Sequence, residues 1–575
     1  MQTTVFVRLR LILLGLGVVV ALVIVQLLRI DFFSAEYFEE LFATMSTVQR
    51  EFAPERGRIF DRHGELLATN DVKYEISISP PGVTDSDEVA ETLSRLLDRS
   101  VTEIRTAAES PDAYVLVARP VPAEVGDQIK ALRESGEARL NGVDLAPLPN
   151  RVYPGGSLAA QVLGFVGYTG EGDRAVGYTG VEGFYNDWLS GRPIQSVQAV
   201  VPFDAQLDPE PEQGADLYLT IDRDIQFLVE GSLAQAVQLY GAEGGSIIVL
   251  DPRTGEILAM ASYPSYNPMD YARIYQEQPE LLQNPAVSGQ YEPGSTFKIL
   301  TMAAALDTGL VQPNTPFQDT GYIEVGGVPI RNWNGGAWGA VDMVGCLRHS
   351  LNVCMASLST QLGTTTFYNY LSAFGIGHRT NVDLAAEAGG RLKLPGDTDW
   401  YESDLGTNAF GQGVAVTPLQ LVAAVGAVAN GGVMMQPHIL LRVESAGQTH
   451  VTQPQVLGRP IRPETAVTLS QMLAQSLEEG EGDQAVLPGY RIAGKTGTAQ
   501  IPIPGGYDQR QTVASFIGWG PVDDPRFVVL VKLDKPRTSI WGSETAAPAF
   551  AALTQRLVVL MHIPPDDARR ALAGQ

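Results

Sequence analysis

Leu11 to Leu28 reads LILLGLGVVVALVIVQLL, eighteen residues in which Gln26 is the only polar side chain. A run like this constrains topology before anything else, because it is near the minimum of about 17–20 residues for a helix that spans hydrocarbon. The other readings are a cleaved signal peptide and a buried core helix. A signal core is usually about 7–15 residues and ends in a small-x-small site. Here the run is longer and leads into RIDFFSAEYFEE, which offers no good cleavage site. An uncleaved anchor is therefore expected. Arg8, Arg10 and the amino terminus precede the run, while Arg29 is soon followed by Asp31, Glu36, Glu39 and Glu40. The positive-inside rule then puts a short tail in the cytoplasm and the rest of the chain outside. No later segment is as long without charge, so a single span is expected.

The totals narrow what that outer portion can be. The 575 residues are 45% apolar and 18% charged, enough to bury a large core. The balance is acidic: 65 Asp and Glu stand against 40 Lys and Arg, a net charge of −25. A nucleic-acid binder needs a basic footprint, so nucleic acid is excluded as a partner. Only seven residues are lysines, at 73, 130, 298, 393, 495, 532 and 535. A lysine inside a motif is thus less likely to sit there by chance. The histidines and cysteines show no H-x-x-x-H or C-x-x-C spacing, so no metal site and no cofactor are expected. Cys346 and Cys354 fall in one helical pattern, which would set them about 12 Å apart by helical rise. A disulfide needs alpha carbons within about 7 Å, so no bridge is expected.

Texture divides the chain further. RGRIFDRHGELLATN, from Arg56, reads as a strand, a turn around Asp61–Gly64 and a second strand. DPEPEQGADL, 208–217, is a Pro- and acid-rich boundary. Asp222 is placed to cap a helix over 223–240, and 245–262 reads as a hairpin around a PRTG turn. Long helical patterns follow at 296–309, 341–375 and 417–430. RIAGKTGTAQ, TVASFIGWG and RFVVLVKLD read as the last strands, with a final helix near 544–561. Strands at both ends of a region with helices between predict an α+β domain with an antiparallel sheet.

Three short motifs carry chemistry. In YEPGSTFKIL, 291–300, Ser295 and Lys298 stand three apart where a helix begins, so they share a face. A cation in a first turn opposes the helix field, which favours a neutral amine able to take a proton from the serine. The bland reading is an N-cap serine and a solvated lysine. In RHSLNVCMASL, Ser350 and Asn352 sit two apart; Ser350 either caps a helix or faces a cleft. In RIAGKTGTAQ, Gly489, Gly494, Lys495 and Thr496 literally match a phosphate-binding loop. That loop must feed directly into a helix, whereas YRIA before it reads as strand and the GTAQIPIPGG after it cannot start a helix. A nucleotide site is rejected. The remaining reading is a strand edge whose Lys495, Thr496 and Thr498 suit a substrate carboxylate and whose backbone N–H can polarise a carbonyl.

Each motif is weak alone. Together they run S-x-x-K, S-x-N, K-T-G at separations of 55 and 145 residues. This set resembles the penicillin-recognising serine enzymes, with Leu351 in place of the Asp of S-D-N. The front of the chain is similar to class B penicillin-binding proteins: Arg56-Gly57-x-Ile59-x-Asp61-Arg62-x-Gly64, GYTGVEGFYNDWLSG at 177–191, YLTIDRDIQ, IIVLDPRTGEILAMAS and NAFGQGVAVTPLQL at 408–421 all look like the family's signatures. The resemblance implies a single transmembrane helix, an elongated mostly-β pedestal, and a penicillin-binding transpeptidase domain with a central antiparallel sheet, helices on both sides and an all-helical subdomain. The expected boundaries are a cytoplasmic tail 1–10, an anchor 11–30, a juxtamembrane linker 31–55, a pedestal or dimerisation domain 56–215, a linker helix 216–243, the transpeptidase domain 244–565 and a tail 566–575. By resemblance Ser295 is the nucleophile and Lys298 its base. Ser350 and Lys495 relay a proton to the leaving group, and Asn352 holds the donor amide. Thr496, Gly497 and Thr498 bind substrate, and the N–H groups of Ser295 and Thr498 form the oxyanion hole. The implied substrates are peptidoglycan stem peptides ending in D-Ala-D-Ala, with β-lactams as covalent inhibitors. The implied partners are a membrane-embedded glycosyltransferase and other division proteins, and no nucleotide. S-L-N and E-P-G-S-T-F-K look closer to the septal type than to the elongation type. A D,D-carboxypeptidase, a β-lactamase or a β-lactam sensor remains the alternative.

Overall fold

The computed structural model describes residues 13–26, 47–52, 54–168, 175–192, 194–199 and 212–573. Residues 13–26 are helical and exposed throughout. They are the middle of the expected anchor, whose ends lie outside the described residues. No helix among the described residues is long and apolar enough to cross a membrane. The first four residues of the expected boundary segment 208–217 also lie outside the described residues. The chain divides into two units by contact. The smaller comprises residues 1–54 and 191–213, and contains an antiparallel pair of strands, Thr47–Phe52 with Ile194–Ala199.

The larger unit, 55–190 with 214–575, begins with a seven-stranded sheet. In order these are Gln448–Val451, Leu440–Ser445, Asp216–Leu219, Ile59–Phe60, Leu66–Ile78 and Val115–Val121, with Val143–Val152 also paired to Leu66–Ile78. The turn expected at Asp61–Gly64 is present and its cause is local. Asp61 Oδ1 accepts the N–H groups of His63 and Glu65, each at 2.8 Å, and Gly64 takes φ +90°. The pedestal carries more helix than expected. Ser86–Leu97, Val101–Ala108 and Ala123–Ser135 cover the sheet and bury Val89, Leu93, Ile104 and Ile129 against Ile76 and Ile78.

Two family-like stretches of the pedestal meet at a buried charge cluster. Glu182 is wholly buried, and its carboxylate accepts Arg56 Nε at 2.7 Å and Arg151 Nε at 2.6 Å. Arg56 also donates to Asn186 Oδ1 and Ser190 Oγ. Burial alone would raise the Glu182 carboxyl; the two guanidinium groups outweigh it and hold the group below the ordinary carboxylate range. The RGRIF and GVEGFYNDWLS stretches are thus clasped to each other by charge.

The second region is built on a five-stranded antiparallel sheet. Helix α1, Arg223–Tyr240, leads in; the Asp222 side chain accepts from the N–H groups of Asp224 and Ile225, the expected cap. Strands β1, Gly244–Leu250, and β2, Ile257–Tyr263, form the expected hairpin. Helices α2, Lys298–Asp307, α3, Met343–Arg348, α4, Asn352–Leu362, α5, Pro418–Ala429, and α6, Pro463–Glu478, follow. The chain then returns as β3, Ala493–Ile503, β4, Gly506–Gly520, and β5, Phe527–Asp534, and covers the sheet with α7, Ala546–Leu560. The strand order is β2-β1-β5-β4-β3, which leaves β3 on an edge. Period-two alternation separates two cores. Ile247, Val249, Val529, Val531 and Phe516 pack with α1 and α7, while Ile248, Leu250, Val528, Leu530 and Ile517 pack with the helices on the other face. Helix α5 is buried at every position, which explains its unbroken apolar pattern. The last residues, expected as a tail, include a helix over Asp566–Ala573 tied down by a bond from Arg491 N–H to Asp566.

Candidate active site

Ser295 lies in a single 3-10 turn, Gly294–Phe297, that opens into α2 at Lys298. The turn is seated by the 408–421 stretch. Gly294 N–H donates to Gly411 O at 3.1 Å, Gly413 N–H donates to Glu292 Oε1 at 3.0 Å, and Thr301 Oγ1 donates to Ala409 O at 2.7 Å. A Cβ at Gly411 would stand 2.3 Å from Gly294 O, so only glycine permits this approach.

Lys298 is fully buried. Its Nζ lies 2.5 Å from Ser350 O, 2.8 Å from Asn352 Oδ1 and 3.1 Å from Ser350 Oγ. The sequence reading aimed this amine at Ser295 along the helix face; in the structure its hydrogen bonds go to the S-x-N segment. The Ser295 hydroxyl has no hydrogen-bond partner among the described residues and lines the cleft. The arrangement has chemical content. Two N–H bonds satisfy the Ser350 carbonyl and the Asn352 amide oxygen. In the neutral amine the remaining valence is a lone pair, available to a hydroxyl proton.

The S-x-N segment is not one continuous helix with its surroundings. The expected pattern over 341–375 is three helices: α3, α4 and a third over Thr364–Ala373. Between α3 and α4 Ser350 takes φ +50°, a left-handed turn that breaks the helix and leaves Ser350 neither as N-cap nor in solvent. That break corrects the cysteine prediction. Cys346 and Cys354 sit on different helices, their alpha carbons are 6.1 Å apart, and they form a disulfide. The straight-helix distance failed because the chain folds back at 349–351.

Strand β3 brings Lys495, Thr496 and Thr498 alongside. Gly494 to Thr496 are paired with β4 throughout, so the phosphate-loop match is strand and not a loop feeding a helix. Thr496 Oγ1 accepts from Lys495 Nζ at 3.1 Å and Thr498 Oγ1 accepts from Gly542 N–H at 3.0 Å, so each hydroxyl proton is free to donate to a carboxylate. No hydrogen bond joins Lys495 to Ser350. Gly497 lies where the strand crosses the nucleophile turn; a Cβ there would come within 2.4 Å of Ser515 Oγ and 2.8 Å of Thr296 Cγ2.

These elements surround one cleft of about 700 Å³. Ser295, Ser350, Asn352, Thr496 and Thr498 line it, and Trp333 and Trp541, in edge contact at 5.3 Å, stand on its wall. Burial, then the Lys495 charge, push the Lys298 amine well below the ordinary lysine range, with Glu481 opposing. Burial brings Lys495 down to about 8, again opposed by Glu481. Glu481 itself is raised by burial against the pull of both lysines. Sequence reasoning missed Glu481, because it belongs to no motif; its one signal is the pair of glycines flanking it. A buried amine pushed toward its neutral form and bonded to the Ser350 hydroxyl, one helical turn from Ser295, with an edge strand offering donors, is the equipment of serine acyl transfer.

The comparisons with known proteins agree with that class. Residues 245–555 match the penicillin-binding protein transpeptidase domain and residues 51–219 the penicillin-binding protein dimerisation domain. Stage V sporulation protein D of Bacillus subtilis is 34% identical over 552 residues, spanning 92% of this chain and 82% of that protein. Peptidoglycan D,D-transpeptidase FtsI of Escherichia coli is 29% identical over 531 residues, 90% of this chain and 85% of the relative. Penicillin-binding protein 3 of Mycobacterium tuberculosis, solved with aztreonam, superposes with a TM-score of 0.69 at 29% identity, covering 90% of this chain and 98% of that one. The chain belongs to the class B penicillin-binding proteins, with a dimerisation domain ahead of a transpeptidase domain.

Proposed function

We propose that this protein is a peptidoglycan D,D-transpeptidase that cross-links stem peptides through a serine acyl-enzyme. The observation that carries the reading is the buried Lys298 amine, held by Ser350 and Asn352 one helical turn from Ser295, whose hydroxyl lines the cleft with no hydrogen-bond partner among the described residues. Ser295 Oγ attacks the carbonyl between two terminal D-alanines as neutral Lys298 takes its proton. The N–H groups of Ser295 and Thr498 receive the oxyanion, and Asn352 holds the donor amide. The hydroxyls of Thr496 and Thr498, with the Lys495 charge, meet the terminal carboxylate. The C–N bond breaks, and the departing D-alanine amine receives a proton through Ser350, from Lys298 or Lys495. The amine of a second stem then attacks the ester, releases Ser295 and leaves a cross-link. β-Lactams acylate Ser295 as mimics of the D-alanyl pair.

The boundaries at 10, 30, 55, 215, 243 and 565 belong to the same proposal, as do a single membrane span and a catalytic domain outside the cytoplasm. A membrane glycosyltransferase supplies the polymer. The septal role rests on the S-L-N and E-P-G-S-T-F-K forms of the motifs. Fluorescent penicillin on the purified protein tests the nucleophile: wild type is labelled covalently, and labelling that survives Ser295→Ala refutes the assignment. Polymerised lipid-linked precursor separates transfer from hydrolysis, since a carboxypeptidase releases D-alanine without forming dimers. Depletion in cells separates the roles: a septal enzyme leaves filaments, an elongation enzyme leaves rounded cells.

A further inference from the structure

We infer that Glu481 is a positioning residue of this site: its carboxylate, carried by the loop after α6, reaches both the cleft and the narrow chamber that holds Lys495, and acts on the cleft through that lysine. The inference rests on the transpeptidase reading.

The loop is built to put this side chain where it is. A Cβ at Gly480 would stand 2.5 Å from Ser476 O and 2.9 Å from Arg348 Cγ, and one at Gly482 would stand 2.4 Å from Leu477 Cδ1. The two glycines let the backbone pinch between the end of α3 and strand β3, and an ion pair from Arg348 to Glu479 closes the loop onto α3. The residue between the glycines faces two spaces at once. Glu481 lines the main cleft with Ser295, Ser350 and Asn352, and it also lines a narrow chamber behind it with Lys495, Thr496 and Gly494.

The charges around Glu481 leave it few partners. Lys495 faces it from β3, Lys298 from α2 and Arg348 from α3, the last already paired with Glu479. Asp483 from its own loop and Glu544 from across the cleft add negative charge at the cleft wall. Neither Lys495 nor Glu481 has an ion pair within 4 Å among the described residues, so Glu481 acts through the field of a low-dielectric site and not by contact. The Trp333 indole N–H, which also donates to His349 O at 3.3 Å, helps keep its carboxyl charged. Without this anion, two buried ammonium groups would face each other with burial working against both. With it, Lys495 is brought down only to about 8, while Lys298, fully buried and repelled by Lys495, is pushed well below the ordinary lysine range.

The test is the rate of acylation by fluorescent penicillin against pH for full-length wild type, Glu481→Gln and Glu481→Asp, with Ser295→Ala as the blank. A neutral side chain removes the attraction that favours the Lys495 ammonium, so the alkaline limb of the profile moves to lower pH. Glu481→Gln should be within about twofold of wild type at pH 6.5 and about five- to tenfold slower at pH 8.5, with Glu481→Asp recovering the wild-type shape. An unchanged profile, or a uniform fall at every pH, overturns the role of Glu481. A wild type that is not acylated at all refutes instead the transpeptidase reading on which it rests.

Discussion

The protein contains two clusters of the same make-up, two buried cations and one carboxylate, wholly buried in the first and half-buried in the second, and they behave in opposite ways. In the pedestal Arg56 and Arg151 grip Glu182 at 2.7 and 2.6 Å, and the carboxyl is held below its usual range. In the catalytic region Lys298 and Lys495 face Glu481 without a contact ion pair, and both amines are pushed down while the carboxyl is pushed up. A guanidinium cannot shed its proton, so burial is offset only by direct pairing; an amine can, so burial is relieved by neutralisation. Arginine therefore builds a clasp, and lysine an amine that burial drives toward its neutral form.

Exchanging the cation types breaks the comparison most severely. Lys298→Arg replaces a group that can be neutral by one that cannot. Acylation by the folded protein should fall by about 10²–10⁴-fold, and the buried guanidinium, with no carboxylate to pair with, should also lower the thermal unfolding midpoint, measured by penicillin labelling and calorimetry. The converse damage is to stability. Glu182→Ala strands two buried guanidinium groups and should cost about 3–5 kcal/mol in denaturant unfolding, while the folded fraction still acylates normally. The sign with pH follows from the depressed carboxyl. The contribution of Glu182 is fully present above the ordinary carboxylate range and is lost as pH falls through its folded value, so wild type should lose its advantage over Glu182→Ala in acid. Removing the disulfide by Cys346→Ala with Cys354→Ala opens a short loop beside Ser350 and should cost about 2–3 kcal/mol, read the same way. The mildest change is Gly497→Ala. Its Cβ would push β3 off the Ser295 turn, and acylation should fall by about 10–100-fold with a stability cost of about 1–2 kcal/mol.

Much of this was legible in the chain before its structure. The α1 helix over 223–240, its Asp222 cap, the 245–262 hairpin and the last three strands all follow from periodicity and local capping. So does the turn at Asp61–Gly64. The S-x-x-K, S-x-N and K-T-G stretches are brought together by the fold: Ser295, Ser350, Asn352, Thr496 and Thr498 line the cleft, with Lys298 bonded to Ser350 and Lys495 to Thr496. What could not be read was set by tertiary contact. The left-handed break at Ser350 is invisible in an apolar pattern that continues through it, and with it went the disulfide. The partners of Lys298 depend on where the 350–352 turn is folded, not on the spacing to Ser295. Glu481 acts through space from a loop with no pattern of its own, and the Arg56–Glu182 clasp joins residues 126 apart in sequence.

The claim everything rests on is that Lys298 is an uncharged amine at neutral pH. The chain has only seven lysines, so ¹³C-lysine NMR of the full-length protein, with the Lys298→Met and Lys495→Met variants as assignments, reads each one. The account predicts one resonance, absent from Lys298→Met, that titrates well below the ordinary lysine range, and a second, absent from Lys495→Met, that titrates near 8. A Lys298 resonance that stays charged until pH 10 would contradict it.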